Sequence, residues 1–245
     1  PLPPPPVTAV AVFDDLGNAG RAVEAIMATL TPSMLEVMDR QTIAAVEAWK
    51  PSGLDETAGA LLIAQCDAPD AAGEAEAERL LALCQSSGAR ETYRSEDPAE
   101  ADMLLNARRI AIPALEQMGD WLLDDVAVPR THLAEAMERI ARVGEERSVY
   151  IGTFGHAGDG NLHPTIVVPR GDPEAAERAM LAFDDILDIA LSVGGTITGE
   201  HGVGSLKRRH LAQELDAVAI DLHTRLKQAW DPAGILNPGK SIPRW

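Results

Sequence analysis

Val149-Tyr150-Ile151-Gly152-Thr153-Phe154 and Leu162-His163-Pro164-Thr165-Ile166-Val167-Val168 are two apolar, β-branched runs, joined by Gly155-His156-Ala157-Gly158-Asp159-Gly160-Asn161. Asp159-Gly160-Asn161 is a turn signal between two strands. A hairpin makes its strands antiparallel, whereas the alternating strands and helices elsewhere would also suit a parallel sheet. The hairpin decides for an α+β fold. We expect a mixed or antiparallel sheet covered by helices, built of two ferredoxin-like βαββαβ halves.

Outward from the hairpin, apolar runs predict strands over 7–13, 34–38, 60–66, 91–95 and 121–128, and a brief one over 196–198. Helical spacing predicts helices over 18–30 with Asn18 as cap, 39–50, 71–87, 98–119 with a break at Pro113, 131–146 with Thr131 as cap, 172–193 and 203–230. An irregular tail covers 231–240. The start, Pro1-Leu2-Pro3-Pro4-Pro5-Pro6, reads as a stiff, extended linker over 1–6, with one domain over 7–245.

The chain has 245 residues, 46% hydrophobic and 24% charged, enough to bury a sizeable core. Its net charge of −17 excludes nucleic acid as a partner, because such binding rests on neutralising phosphates with Lys and Arg. An anionic substrate would need local positive charge from an arginine or a metal. No apolar stretch approaches the roughly 20 residues that span a bilayer, and no signal peptide is present, which reads as a cytoplasmic protein with no integral membrane segment. Cys66 and Cys84 read as small buried hydrophobes, with a disulfide as the alternative.

A hairpin explains the glycines but not a histidine on each shoulder. On facing strands, His156 and His163 come within reach of one ion. A second glycine-rich island, Gly199-Glu200-His201-Gly202-Val203-Gly204, offers Glu200 as a third ligand and leaves positions open for substrate, as catalytic metal sites require. The spacing is neither that of a P-loop nor that of a His-Glu-x-x-His protease. Glycine lets backbone approach a ligand, and adjacent side chains diverge, so Glu200 can bind a zinc- or manganese-type ion while His201 faces the reacting group. Asp159 and Asn161 serve either the turn or the site. His132, His210 and His223 lie in helical patterns and read as surface or boundary residues.

These two motifs, with Asp231-Pro232-Ala233-Gly234-Ile235-Leu236-Asn237-Pro238-Gly239-Lys240, resemble the C-terminal domain of FAD-linked oxidases of the vanillyl-alcohol oxidase type. The nearest resemblance is to the branch of the glycolate oxidase FAD subunit, D-lactate dehydrogenase and D-2-hydroxyglutarate dehydrogenase. Asp125-Val126-Ala127-Val128-Pro129 and Met34-Leu35-Glu36-Val37-Met38-Asp39 are weaker matches. The resemblance implies a substrate, or cap, domain of α+β type with a large antiparallel sheet, whose FAD-binding domain is absent from this chain. It implies His156, His163 and Glu200 as ligands of a divalent metal, Zn or Mn, and His201 as catalytic base. It also implies Arg108 as the substrate arginine, with Arg109 as its neighbour, and Asn237 and Lys240 as flavin contacts; in its site role Asn161 would be a second substrate contact. Some members carry a lysine near the position of Leu123; its lack here implies a monocarboxylic acid such as glycolate or lactate.

The expected activity is FAD-dependent oxidation of a small 2-hydroxy acid to a 2-keto acid, inactive without the flavin-binding domain. The same ligands would serve a metallohydrolase, which would turn over esters or amides without flavin. A non-catalytic docking module would not need His201 or the ligand set. Loss of a partner domain exposes an apolar docking face, through which a homodimer can form.

Overall fold

The computed structural model describes residues 6–95 and 97–241. The expected linker therefore lies, but for Pro6, outside the described residues. Among these, one sheet holds eight strands: β1 (Val7–Phe13), β2 (Met34–Asp39), β3 (Ala60–Cys66), β4 (Glu91–Arg94), β5 (Asp120–Leu123), β6 (Val126–Ala127), β7 (Tyr150–His156) and β8 (Asn161–Val168). The order is β4-β1-β3-β2-β7-β8-β5, with β6 also on β8, and every pairing is antiparallel.

The two halves follow from that order. The first runs β4-β1-β3-β2 and the second runs Thr196-β6-β8-β7, because Thr196 forms a single antiparallel bridge to Ala127. Both halves have the ferredoxin-like strand order, the first with α2 (Arg40–Trp49) inserted between β2 and β3, and β2 and β7 join them edge to edge. In the second half the strand expected over 196–198 has shrunk to that bridge.

Side chains alternate across each strand, so the sheet sorts them between two cores. Ala9, Phe13, Leu35, Val37, Leu62, Ile151, Leu162 and Ile166 face one core. It is covered by α1 (Leu16–Thr29), α3 (Ala71–Ser86), α6 (Leu133–Arg147) and α7 (Pro173–Ser192). In α7, Ala175, Ala179, Ala182, Phe183, Ile186, Leu187 and Ala190 form one buried stripe; each large side chain there contributes roughly 1.5–3 kcal/mol. The opposite face takes Val10, Met38, Ile63, Phe154 and Val167 under α2 (Arg40–Trp49), α4 (Pro98–Arg109) and α5 (Ala111–Met118).

Some boundaries differ from expectation for local reasons. Asp15, not Asn18, caps α1, by accepting from the N–H of Asn18. The break in 98–119 falls at Ile110, and Pro113 sits in the first turn of α5, where its missing N–H costs little. A 3-10 turn over 130–132 takes up Thr131, so α6 starts at Leu133. The run 121–128 splits at Asp124-Asp125. The run 203–230 becomes a 3-10 turn over 207–210, a short α8 (Leu211–Glu214) and α9 (Ala217–Trp230). Cys66 and Cys84 are buried free thiols, each pushed up to about 12 by burial. No helix among the described residues is long and apolar enough to cross a membrane.

Candidate functional site

The face under α2, α4 and α5 is left open at the end of β2, β7 and β8, and the histidines stand there. In the hairpin register His156 pairs with Asn161 and His163 with Phe154. The two histidines are thus diagonal neighbours on one face rather than directly opposed. Their ring centroids are 5.3 Å apart at 89°. Gly160, with φ +85, makes the turn; a Cβ there would lie 2.1 Å from the Val128 carbonyl oxygen. Asp159 belongs to the turn, since its Oδ1 accepts from the Asn161 N–H at 3.0 Å.

The loop carrying Glu200 and His201 is brought over the hairpin by Asp125. This buried carboxylate accepts from the N–H groups of Gly199 at 2.9 Å, Glu200 at 3.1 Å and His201 at 2.9 Å, and from the Thr198 hydroxyl at 3.1 Å. Burial alone would raise its pKa, but the His201 and Glu200 N–H groups and the charge of Lys207 hold it below the usual carboxylate range. Lys207 is itself buried, 2.8 Å from Asp124 Oδ1, and its ammonium donates to the Asp125 carbonyl oxygen.

Glu200 then meets both rings. Its Oε1 lies 3.4 Å from His156 Nε2, 3.4 Å from His163 Nε2 and 3.7 Å from His201 Nε2. His163 and His201 stack with centroids 5.2 Å apart. Two donor sets come together, His156-His163-Glu200 and Asp125-His163-His201. Asp125 has Oδ2 taken up by four donors and Oδ1 by the Glu200 N–H at 3.2 Å, whereas the carboxylate of Glu200 accepts from no backbone donor among the described residues, so the first set has the freer donor atoms. His163 is buried, which lowers its pKa to about 4 despite Asp125 and keeps the ring neutral. For His156 burial works downward, but the hydrogen bond and charge of Glu36 outweigh it and the pKa is raised.

Of the two arginines, Arg108 reaches the site and Arg109 turns outward to Asp102. Arg108 lies over the Phe154 ring at 4.6 Å, and its Nε donates to Glu36 Oε2 at 2.6 Å. Asn161 is buried against Gly199, with its Oδ1 unpartnered among the described residues. Asn237 and Lys240 lie exposed on the tail. That tail is folded back by Asp231, which accepts from the N–H groups of Ile235 and Leu236, and by Arg208, which donates to the Gly239 carbonyl oxygen. Outside the site, His210 is buried, its Nε2 2.8 Å from Asp184 Oδ1, and is not a surface or boundary residue. His132 and His223 are exposed, as expected.

Two residues that position the site had no role assigned from the sequence, Glu36 and Asp125. The available signal was a carboxylate inside an otherwise apolar strand: Glu36 in Met34–Asp39, and Asp125 interrupting 121–128. A buried charge without a partner is costly, so such a carboxylate calls for donors.

The family described as FAD linked oxidases, C-terminal domain, matches residues 2–241. The glycolate oxidase subunit GlcD of Bacillus subtilis is 37% identical over 246 residues, covering 100% of this chain and 52% of the relative. Its Escherichia coli K12 counterpart is 35% identical, covering 99% and 49%. A D-lactate dehydrogenase of Archaeoglobus fulgidus is 32% identical, covering 94% and 50%. The chain spans about half the length of these curated relatives. Among solved structures, 4-ethylphenol oxidase from Gulosibacter chungangensis matches with TM-score 0.69 at 17% identity, covering 99% of this chain and 55% of the other. Substrate-bound p-cresol methylhydroxylase matches with TM-score 0.72 at 16% identity, covering 98% and 53%. At such identities these two structures establish a shared fold.

Proposed function

The chain belongs to the FAD-linked oxidase C-terminal domain family, and we propose that it is the substrate-bearing half of an FAD-dependent 2-hydroxyacid dehydrogenase of glycolate or D-lactate type. The observation that carries this reading is the meeting of His156 Nε2, His163 Nε2 and Glu200 Oε1 beside His201.

The donors fit a divalent cation of zinc or manganese type. Donors bonded at about 2.1 Å around a tetrahedral ion stand about 3.4 Å apart, the spacing of Glu200 Oε1 from both imidazole nitrogens. His156 has its Nδ1 engaged by Glu36, which leaves Nε2 as the free nitrogen. His163 is held neutral, as a ligand must be. His156, His163 and Glu200 would hold the ion; when bound, it would polarise the hydroxyl and one carboxylate oxygen of a 2-hydroxy acid. The flavin, carried mainly by the other half of the enzyme, supplies the two-electron acceptor.

This chain's residues do the rest. His201, half exposed beside the ligand set, accepts the substrate's hydroxyl proton. Arg108 keeps its two Nη groups without a partner among the described residues, and these anchor the substrate carboxylate. Asn161 donates or accepts from the strand next to His163. With that proton on His201, a hydride leaving the α-carbon for the acceptor that the flavin-binding half would carry would give the 2-keto acid. Leu123 ends β5 near the position where some family members carry a lysine, and the lack of a cation there is read in favour of a monocarboxylic substrate. Asn237 and Lys240, both exposed on the tail, are assigned to the flavin by the family resemblance.

The partner surface is the outer face of α9. Val218, Leu222, Leu226 and Trp230 recur every fourth residue and are all exposed, and Ile220 is the one buried residue among those described in that helix. We assign this stripe to the flavin-binding half rather than to a second copy, because the relatives are about twice as long as the chain.

The test is dye-linked oxidation of glycolate and D-lactate by the protein united with its flavin-binding half. His201→Gln lowers kcat by about 10²–10⁴-fold with an unchanged melting temperature. Full turnover in that variant, or no oxidation of either acid by the parent, contradicts the reading.

A further inference from the structure

Glu36 is 5% exposed in a strand that is otherwise apolar up to Asp39. A carboxylate there is retained only if its oxygens are engaged. Both are. Oε1 lies 2.5 Å from His156 Nδ1, and Oε2 accepts from Arg108 Nε at 2.6 Å. The strand register makes this contact unavoidable, since Glu36 and His156 are direct partners across the β2–β7 seam. That seam is the junction of the two ferredoxin-like halves. The carboxylate therefore comes from one half and the imidazole from the other.

We propose that Glu36 is a positioning residue that fixes the His156 imidazole and the Arg108 guanidinium with one buried carboxylate, coupling cation affinity to acid affinity. The inference rests on the functional reading above. An ionised carboxylate only accepts, so the His156 proton sits on Nδ1 and the Nε2 lone pair faces Glu200. The same charge holds Arg108 by Nε, over the Phe154 ring, and leaves the Nη groups for an anion. A purely structural Glu36 would hold Arg108 and His156 in place without deciding which imidazole nitrogen carries the proton.

The test compares the parent chain with Glu36→Gln, which keeps size and one acceptor but loses the charge. Three quantities are read: melting temperature, Zn²⁺ affinity by competition with a chelator, and the ¹⁵N signals of the His156 ring without metal at mildly alkaline pH. The expected parent state is Nδ1–H. In Glu36→Gln that single tautomer is lost and Zn²⁺ affinity falls about 10–100-fold, while in the united enzyme KM for the acid rises. Glu36→Asp, tested in case the amide does not fold, keeps the charge but shortens the reach, and falls between the two. Equal Zn²⁺ affinity and an unchanged tautomer in Glu36→Gln overturn the inference. If the parent takes up no Zn²⁺, the ligand reading fails instead. The ring signals then decide alone: a tautomer lost in Glu36→Gln upholds the positioning of His156, and an unchanged one overturns it.

Discussion

Asp39 closes β2 with both oxygens engaged: Oδ1 accepts from the Thr42 N–H at 2.8 Å and Oδ2 from the Thr153 N–H at 2.8 Å. Burial pushes its carboxyl up to about 6, against the pull of those donors. The folded state thus holds the proton more tightly than the unfolded chain. The resulting stabilisation is complete below the ordinary value of 3.8 and is lost as pH rises through about 6. Its size is about 3 kcal/mol, at 1.36 kcal/mol per pKa unit. Denaturant melts of the parent and Asp39→Asn from pH 4 to 7 should show the parent's advantage shrinking with pH; a gap that is constant or grows contradicts this assignment. At the residue scale the sequence showed the histidines and Glu200 because their glycine-rich settings set them apart. It did not show Glu36, Asp39 or Asp125 as site-builders. A carboxylate in a strand looks like a solvent-facing one until the partner strand is known, and those partners lie 114 to 120 residues away for Asp39 and Glu36.

The hairpin and the loop 198–204 are the elements that meet. Their closest approach is Gly199 on Asn161, where a Cβ would fall 2.1 Å from Oδ1 and 2.5 Å from Cγ. Gly199→Ala should cost about 1–3 kcal/mol, the usual range for overpacking. Asn161→Ala in the same chain should recover part of that, which a double-mutant cycle of denaturant melts reads as a non-additive term. Strictly additive costs would mean that the two residues do not press on each other. The elements with a clean period were legible in advance: the hairpin, α7 and the strands of the first half. The misread ones were interrupted by buried polar groups. Asp124 and Asp125 split a strand because both serve long-range partners, and the stretch after Gly204 coils so that Lys207 can reach them.

On the scale of the whole molecule, two ferredoxin-like halves share one sheet; His156, His163 and Glu200 come from the second half and the loop that follows it, and Glu36 reaches His156 across the seam from the first. The α+β class was legible because the hairpin sets one pair antiparallel, while the fully antiparallel sheet followed from the family resemblance, since the other pairings are long-range. The shrunken last strand and the bare face of α9 were not, since both depend on what packs against them. Leu222→Glu should leave the melt of this chain within about 0.5 kcal/mol, as surface changes do, and weaken its association with the flavin-binding half in a titration by calorimetry. Undiminished association would move the docking surface elsewhere. The account as a whole depends on His156, His163 and Glu200 sharing one ion. A crystal of the chain soaked in Mn²⁺ and measured at the manganese absorption edge tests that directly. One anomalous peak bonded to both Nε2 atoms and to Glu200 Oε1 is the predicted result; a map with no peak among these three side chains contradicts it.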